Sequence, residues 1–218
     1  MATTYLTLVN DVLTRLREPT VSSVTANDYS ALIGKLVNDA KNEVENAWNW
    51  EVLRETYTVS TVADTVSYTL VDSGFRFKVQ EALNNTTYDF LQYKPEKFFT
   101  DYITLRANPN KNAPKYYTFN GNDSNGDLVV DVFPIPDGVY TLRFNGFRPE
   151  EPLSANTDTT ALPAQPIIML AWAKAIEERG EDGGFNVSSQ YAVAKQSLGD
   201  HIAIEANRRP DDITWYWA

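Results

Sequence analysis

Cysteine is absent from the 218 residues, and histidine occurs once. The first absence excludes disulfides and thiolate metal sites, and it leaves the redox compartment open. The second leaves His201 as the sole imidazole for a Ser-His-Asp arrangement. Its acidic neighbour Asp200 does not help, because adjacent helical residues do not face one another. A helix-face role, half buried or at an interface, is expected for His201. No GxGxxG and no GKS or GKT occurs, and Gly183-Gly184 is an isolated pair in an acidic loop, a poor cradle for phosphate. No apolar run approaches the ~20 residues of a membrane span. Residues Met1 to Tyr5 carry neither a basic region nor an apolar one, so no secretory signal is expected.

What is present is acid and aromatic. Twenty-nine Asp and Glu stand against nineteen Lys and Arg, a net charge of −10. A basic surface that grips phosphates is not expected on such a chain. The charge serves solubility, or makes a surface that DNA passes without sticking. Aromatic residues make up 12% of the chain. They supply large contact areas at low entropic cost, in cores and at interfaces alike.

The apolar spacing predicts an α+β fold. Leu6, Val9, Leu13 and Leu16 mark a helix over 5–17, capped by Thr3 or Thr4 and ended by Glu18-Pro19. A longer helix runs from about Asn27 to Trp48, with Thr25 and Asp28 as a capping box and an apolar face from Leu32 to Trp48. After Trp50 the period falls to about two. Strands are expected around Tyr57 and Val59, Val66 to Leu70, Phe75 to Val79, 86–93, Leu128 to Phe133 and Val139 to Phe147. Asn84-Asn85 and Asn120 to Gly126 are turns. Pro163 or Pro166 opens a third helix whose face is Ile168, Met169, Trp172, Ala175 and Ile176, with Gly180 as its stop. Ser188 or Ser189 caps a fourth that reaches Asn207 or Arg208 and lines Tyr191, Ala194, Leu198 and Ile202. The terminal helix pairs must cover one another's stripes. The expected plan is therefore an antiparallel helical bundle of 1–50 and 163–209. An antiparallel β module, 51–150, is inserted into it; 151–162 is a linker and 210–218 a tail.

Three polar constellations invite a chemical reading. Asp123, Asn125 and Asp127 alternate like calcium ligands, but Leu128 and Pro134 occupy the positions of the Gly and Glu of an EF-hand, so a hairpin turn is expected. Glu177, Glu178, Glu181 and Asp182 cluster at a helix end. Glu177 and Glu178 diverge as sequence neighbours, unlike the paired carboxylates of a hydrolase. A solvated end or an acidic contact patch is expected there. The alternating Ile213, Trp215 and Trp217, with Tyr216 between them, suit an extended segment laid along a partner. No catalytic residue, metal site or cofactor is expected.

Several runs carry a family resemblance. They are Val9-Asn10-Asp11-Val12-Leu13 followed by Arg17-Glu18-Pro19-Thr20-Val21, and the second helix ending in Ala47-Trp48-Asn49-Trp50. Two more are Leu128 through Phe133-Pro134-Ile135-Pro136 to Arg143-Phe144, and Leu162-Pro163 with the acidic-Gly loop beyond its helix. In these runs and in element order the chain resembles the head-to-tail adaptors of tailed double-stranded DNA phages, in particular the tail tubular protein A group. The resemblance implies a structural virion subunit of the neck, assembled in the host cytoplasm. It also implies a self-assembled ring, usually twelvefold, beneath the portal protein. The ring connects the portal to the tail nozzle or tail tube, DNA passes through its lumen, and no membrane is involved. It places portal attachment on the C-terminal segment, with Arg208, Arg209, Ile213, Trp215, Tyr216 and Trp217 as candidate contacts. The competing reading is a glycan- or cell-surface-binding virion module that stacks sugars on Tyr116, Tyr117 or Tyr140. A carboxylate hydrolase is a third.

Overall fold

A computed structural model describes residues 2–74, 76–180 and 185–208. The chain divides into two compact units, Met1–Val52 with Glu150–Ala218, and Leu53–Pro149.

The first unit is mainly helical. It opens with a two-residue strand, β1 (Thr3–Thr4), and continues into α1 (Tyr5–Arg15), whose N-cap Thr4 accepts the amide of Thr7. α1 buries Tyr5, Leu8, Val9, Val12 and Leu13, a stripe turned slightly from the expected one. It stops at Arg15, before Glu18-Pro19. Arg17 takes φ 61°, and the Glu18 amide reaches back 2.9 Å to the Leu13 carbonyl, closing the last turn.

α2 (Asp28–Ala47) is capped by Asn27 and Ser30, each side chain satisfying the other's amide. This pair replaces the expected Thr25 and Asp28. Its oxygen sits at the N-cap itself, where the orphan amides are. Ile33, Val37, Ala40 and Val44 are completely buried. Trp50 follows, donating its indole N–H to the Val44 carbonyl at 2.8 Å, and a single helical turn spans Glu51–Leu53.

The second unit holds eight strands among the described residues. One sheet has the order β2 (Arg54–Ser60), β9 (Thr141–Phe147), β4 (Lys78–Asn84) and β5 (Asp89–Phe90). The other has the order β3 (Ser67–Thr69), β8 (Leu128–Phe133), β7 (Tyr116–Asn122) and β6 (Gln92–Tyr93). The alternation that marks the strands sends Leu142, Phe144 and Ala82 from the first sheet and Tyr68, Val130, Val132 and Tyr117 from the second into one core.

Several details depart from the expected antiparallel module: the strand expected over Phe75 to Val79 begins only at Lys78, and β7 runs to Asn122 through the start of the turn expected from Asn120. β6 pairs with β7 in parallel. The strand expected over 86–93 is two short strands in different sheets, joined at buried Leu91. The switch follows from the turn. Asn84 accepts the amides of Thr86 and Thr87, Tyr88 takes φ 61°, and only two residues of β5 remain to pair with β4. Between β6 and β7 lies α3 (Glu96–Phe99), continued by a helical turn over Thr100–Thr104.

The chain returns to the first unit at Glu150. Residues 151–162, expected as a linker, are fastened there. β10 (Thr159–Thr160) pairs with β1. The Asn38 amide brackets the Leu153 backbone with two bonds of 2.9 Å.

α4 (Ala164–Arg179) follows and ends on Gly180 at φ 63°. Where one apolar face was expected, α4 buries Ile167, Ile168, Leu170, Ala171, Ala173 and Ala175. The reason is its position: it packs on α1, α2 and α5 (Phe185–Ala206), so burial runs nearly all round it. α5 begins before the expected Ser188 and, among its described side chains, buries only Ala194.

Candidate interaction surfaces

Many polar side chains that suggested chemistry are occupied by the backbone. His201 Nδ1 lies 2.7 Å from the Ser197 carbonyl one turn earlier, and its ring is half buried on α5. Asp123 accepts the amides of Asn125 and Asp127. Asp127 accepts those of Asp72 and Gly74, and these bonds hold its carboxyl below the usual carboxylate range. The segment is a hairpin turn whose acids point at amides. Glu177 accepts the Tyr191 hydroxyl at 2.8 Å, tying α4 to α5. Burial first, and then this carboxylate, push the Tyr191 phenol up. Glu178 is exposed, and Glu181 and Asp182 lie outside the described residues. Among the described residues no group of three His, Asp or Glu is placed to hold a metal ion.

Of the candidate tail contacts only Arg208 lies within the described residues. Arg208 is exposed and pairs with Glu205 at 3.0 Å. Arg209, Ile213, Trp215, Tyr216 and Trp217 lie outside the described residues.

The runs behind the resemblance have structural work in the helical unit. The Asn10 side chain brackets Val21, accepting its amide at 2.8 Å and donating to its carbonyl at 3.0 Å. This holds the turn after α1 against the helix. Glu18 from that turn takes the Arg179 guanidinium at 2.5 Å, and Arg179 also donates to the Tyr29 hydroxyl at 2.7 Å. The guanidinium lies 4.8 Å from the Tyr29 ring centroid. Glu18 holds Arg179 charged, raising its already high pKa. Burial raises Tyr29, against the lowering effect of Arg179. Around this triad is an open cleft of about 840 Å³ lined by Leu13, Glu18, Pro19, Val21, Asp28 and Tyr29, among others.

A second surface belongs to the β unit. On the outer side of β7 and β8, α3 places Phe98 against Tyr116 (5.3 Å between centroids) and Phe133 (5.7 Å), and Tyr102 stacks on Phe98 at 4.4 Å. Cations cap this platform: Lys94 lies 5.3 Å from the Tyr116 ring and Arg106 4.3 Å from Tyr102. The three tyrosines of the glycan reading differ in exposure. Tyr117 is buried at 7%, Tyr116 is half-buried against Phe98 and Lys94, and Tyr140 is half-buried with its hydroxyl on Asp137. The aromatic residues that stand out are Tyr88, Phe90 and Tyr93, at 92%, 68% and 55% exposure.

Sequence reading missed both surfaces. The Glu18–Arg179 pair spans 161 residues, and no local pattern announces it. The α3 platform had a signal: basic residues cluster between 94 and 115 among Phe and Tyr, in a chain that is otherwise acidic.

No helix among the described residues is long and apolar enough to cross a membrane. No curated protein matches the chain. The comparison with protein families is positive: residues 3–214 match the family model of the SU10 adaptor protein, a span covering the β unit and nearly all of the helical one, and the chain belongs to that phage adaptor family.

Proposed function

We propose that the protein is a structural head-to-tail adaptor of a phage virion, one subunit of a ring set between the portal protein and the tail nozzle or tube. The family match over residues 3–214 carries this reading, because it includes both units rather than one shared module. In this reading residues 1–50 and 163–209 act as one antiparallel bundle. The β module of 51–150 is an inserted domain, and residues 210–218 attach to the portal. The ring, with twelve copies as the expected number, assembles in the host cytoplasm and becomes part of the virion neck. Its acidic charge supports passage of DNA, since an acidic wall repels phosphates where a basic wall would bind them. The role is mechanical and needs no catalytic group.

Light scattering of the chain mixed with its cognate portal protein tests the reading, followed by cryo-EM of the complex. A ring of this chain on the portal is the expected image. No association under any salt condition would refute the proposal. Deleting Asp212 to Ala218 should weaken docking and leave the circular dichroism unchanged; undiminished docking would remove the tail from the interface.

A further inference from the structure

The charge of −10 is divided unevenly. The helical unit holds eighteen acidic and nine basic residues, the β unit eleven and ten. Half of the β unit's cations lie in one stretch: Lys94, Lys97, Arg106, Lys111 and Lys115, against Glu96 and Asp101. Lys111 is engaged by Asp64 at 2.5 Å. Lys94 and Arg106 are held over aromatic rings, and Lys97 and Lys115 are exposed. Beside them Tyr102 and Leu105 are 36% and 72% exposed. Tyr and Phe rings with an Arg over them and apolar surface alongside are residue types enriched at interfaces, and the lysines around them give the patch its charge.

The helical unit carries the complement. Its cleft has Leu13, Pro19 and Val21 as apolar lining, with Asp28 and the mutually neutralised Glu18–Arg179 pair, and the Glu178 charge acts on its Tyr29. α4 ends in exposed Glu177 and Glu178, and Arg179 beside them is neutralised by Glu18. One chain thus carries two different surfaces of opposite charge, each with an apolar part. A heterologous contact between identical subunits requires such a pair, and it propagates from copy to copy until a ring closes. Duplex DNA is the weaker match to the cationic surface, because the rest of the chain would repel it.

We propose that the cationic aromatic surface on α3 docks on the acidic end of α4, Glu177 and Glu178 beside the cleft, in the helical unit of a second copy. This rests on the adaptor reading and names the subunit contact within it. The test uses the full chain and two charge-reversed variants, Lys97→Glu with Arg106→Glu, and Glu177→Lys with Glu178→Lys. Association is measured by sedimentation velocity, with circular dichroism confirming the fold. The unaltered chain should self-associate, and its dissociation constant should rise about tenfold or more as salt goes from about 50 mM to about 500 mM. Each variant alone should associate at least about tenfold more weakly than the unaltered chain. An equimolar mixture of the two should regain association, since each reversed surface then meets its complement on the other variant.

A chain that stays monomeric at low salt overturns the contact. So do variants that associate normally, and a mixture that fails to recover. Loss of duplex DNA retardation by the Lys97 and Arg106 variant, with self-association intact, also overturns it and makes the surface a DNA site. Light scattering with the portal is read separately. Failure of the unaltered chain there removes the adaptor reading, whereas failure of the mixture to recover removes only this contact.

Discussion

The helical unit and the β unit satisfy their buried polar atoms by different means. In the β unit the strand ladders satisfy most of the backbone, side chains such as Asn84, Asp127 and Ser73 serve the turns, and the core between the sheets is mostly carbon and aromatic rings. In the helical unit an irregular segment, 150–162, runs against α2 with few ladder partners, so side chains take over. Lys41, completely buried, donates to the carbonyls of Glu150 and Glu151 at 3.1 Å each and lies 3.6 Å from the Glu150 carboxylate. Glu45 accepts the Glu150 amide at 2.6 Å. The Glu150 carboxylate takes the Thr160 hydroxyl and the Ala161 amide. The buried Lys41 and Glu45 act here as fastenings for the returning backbone. The lesson is that backbone without a ladder must be satisfied by something, and a long side chain reaching from a helix can do it.

The largest effects should come from breaking each unit by its own means. Lys41→Ala strands two carbonyls and a carboxylate, and is expected to cost about 3–5 kcal/mol in denaturant unfolding. Hydrogen exchange should then show lost protection over 150–162, with the β strands unchanged. Phe144→Ala, at a completely buried ring of the β core, is expected to cost about 3–5 kcal/mol through its cavity, with the opposite exchange pattern. If either change loosens both units equally, the contrast fails.

Glycine sharpens it at a smaller scale. A Cβ at Gly146 would overlap the Lys78 carbonyl, backbone that cannot step aside. A Cβ at Gly34 would meet the Tyr5 hydroxyl at 2.5 Å and a Val24 methyl at 2.7 Å, both ends of side chains. Overpacking of this kind costs about 1–3 kcal/mol, and Gly146→Ala should lie at the upper end and Gly34→Ala at the lower, measured as a difference in unfolding midpoints. In the helical unit, Asn10→Ala removes both bonds to Val21 and should cost about 1–2 kcal/mol, since each hydrogen bond is worth roughly 1 kcal/mol net. A cost near zero would show that the turn after α1 holds without its bracket.

The smallest effect is acid dependence, and there the units should behave alike. Asp127 in the β unit is held ionised by the amides of Gly74 and Asp72, and Asp158 in the helical unit by those of Ser154 and Ala155. Both carboxyls titrate below their ordinary 3.8 in the folded chain. Their contribution is full above the ordinary carboxylate pKa and is lost as pH falls through the lowered one. Asp127→Asn and Asp158→Asn should each flatten the acid limb of the stability curve, measured by urea midpoints against pH. An acid limb unchanged in both would remove these bonds as its source.

Much of the plan was legible from residue spacing. The four long helices and strands β2, β3, β8 and β9 follow from apolar period and turn residues, and Gly180 stands as the αL stop. The misses have physical causes. α1 ended early because Arg17 adopts a left-handed backbone that composition does not encode. The strand over 86–93 divided because pairing partners, not propensity, decide which sheet a residue joins. The face of α4 widened because three helices pack on it. The candidate site was less legible: its recognisable part was composition, the basic and aromatic residues of 94–115.

The sequence by itself determined the classes excluded, the α+β content, the excess of acid and the family resemblance, since these depend on residue types and local order. Tertiary structure decided which polar groups are spent. It placed Lys41 under the return segment, Glu18 on Arg179 and Phe98 between Tyr116 and Phe133. Those partners are far apart in the chain, and only folding makes them neighbours.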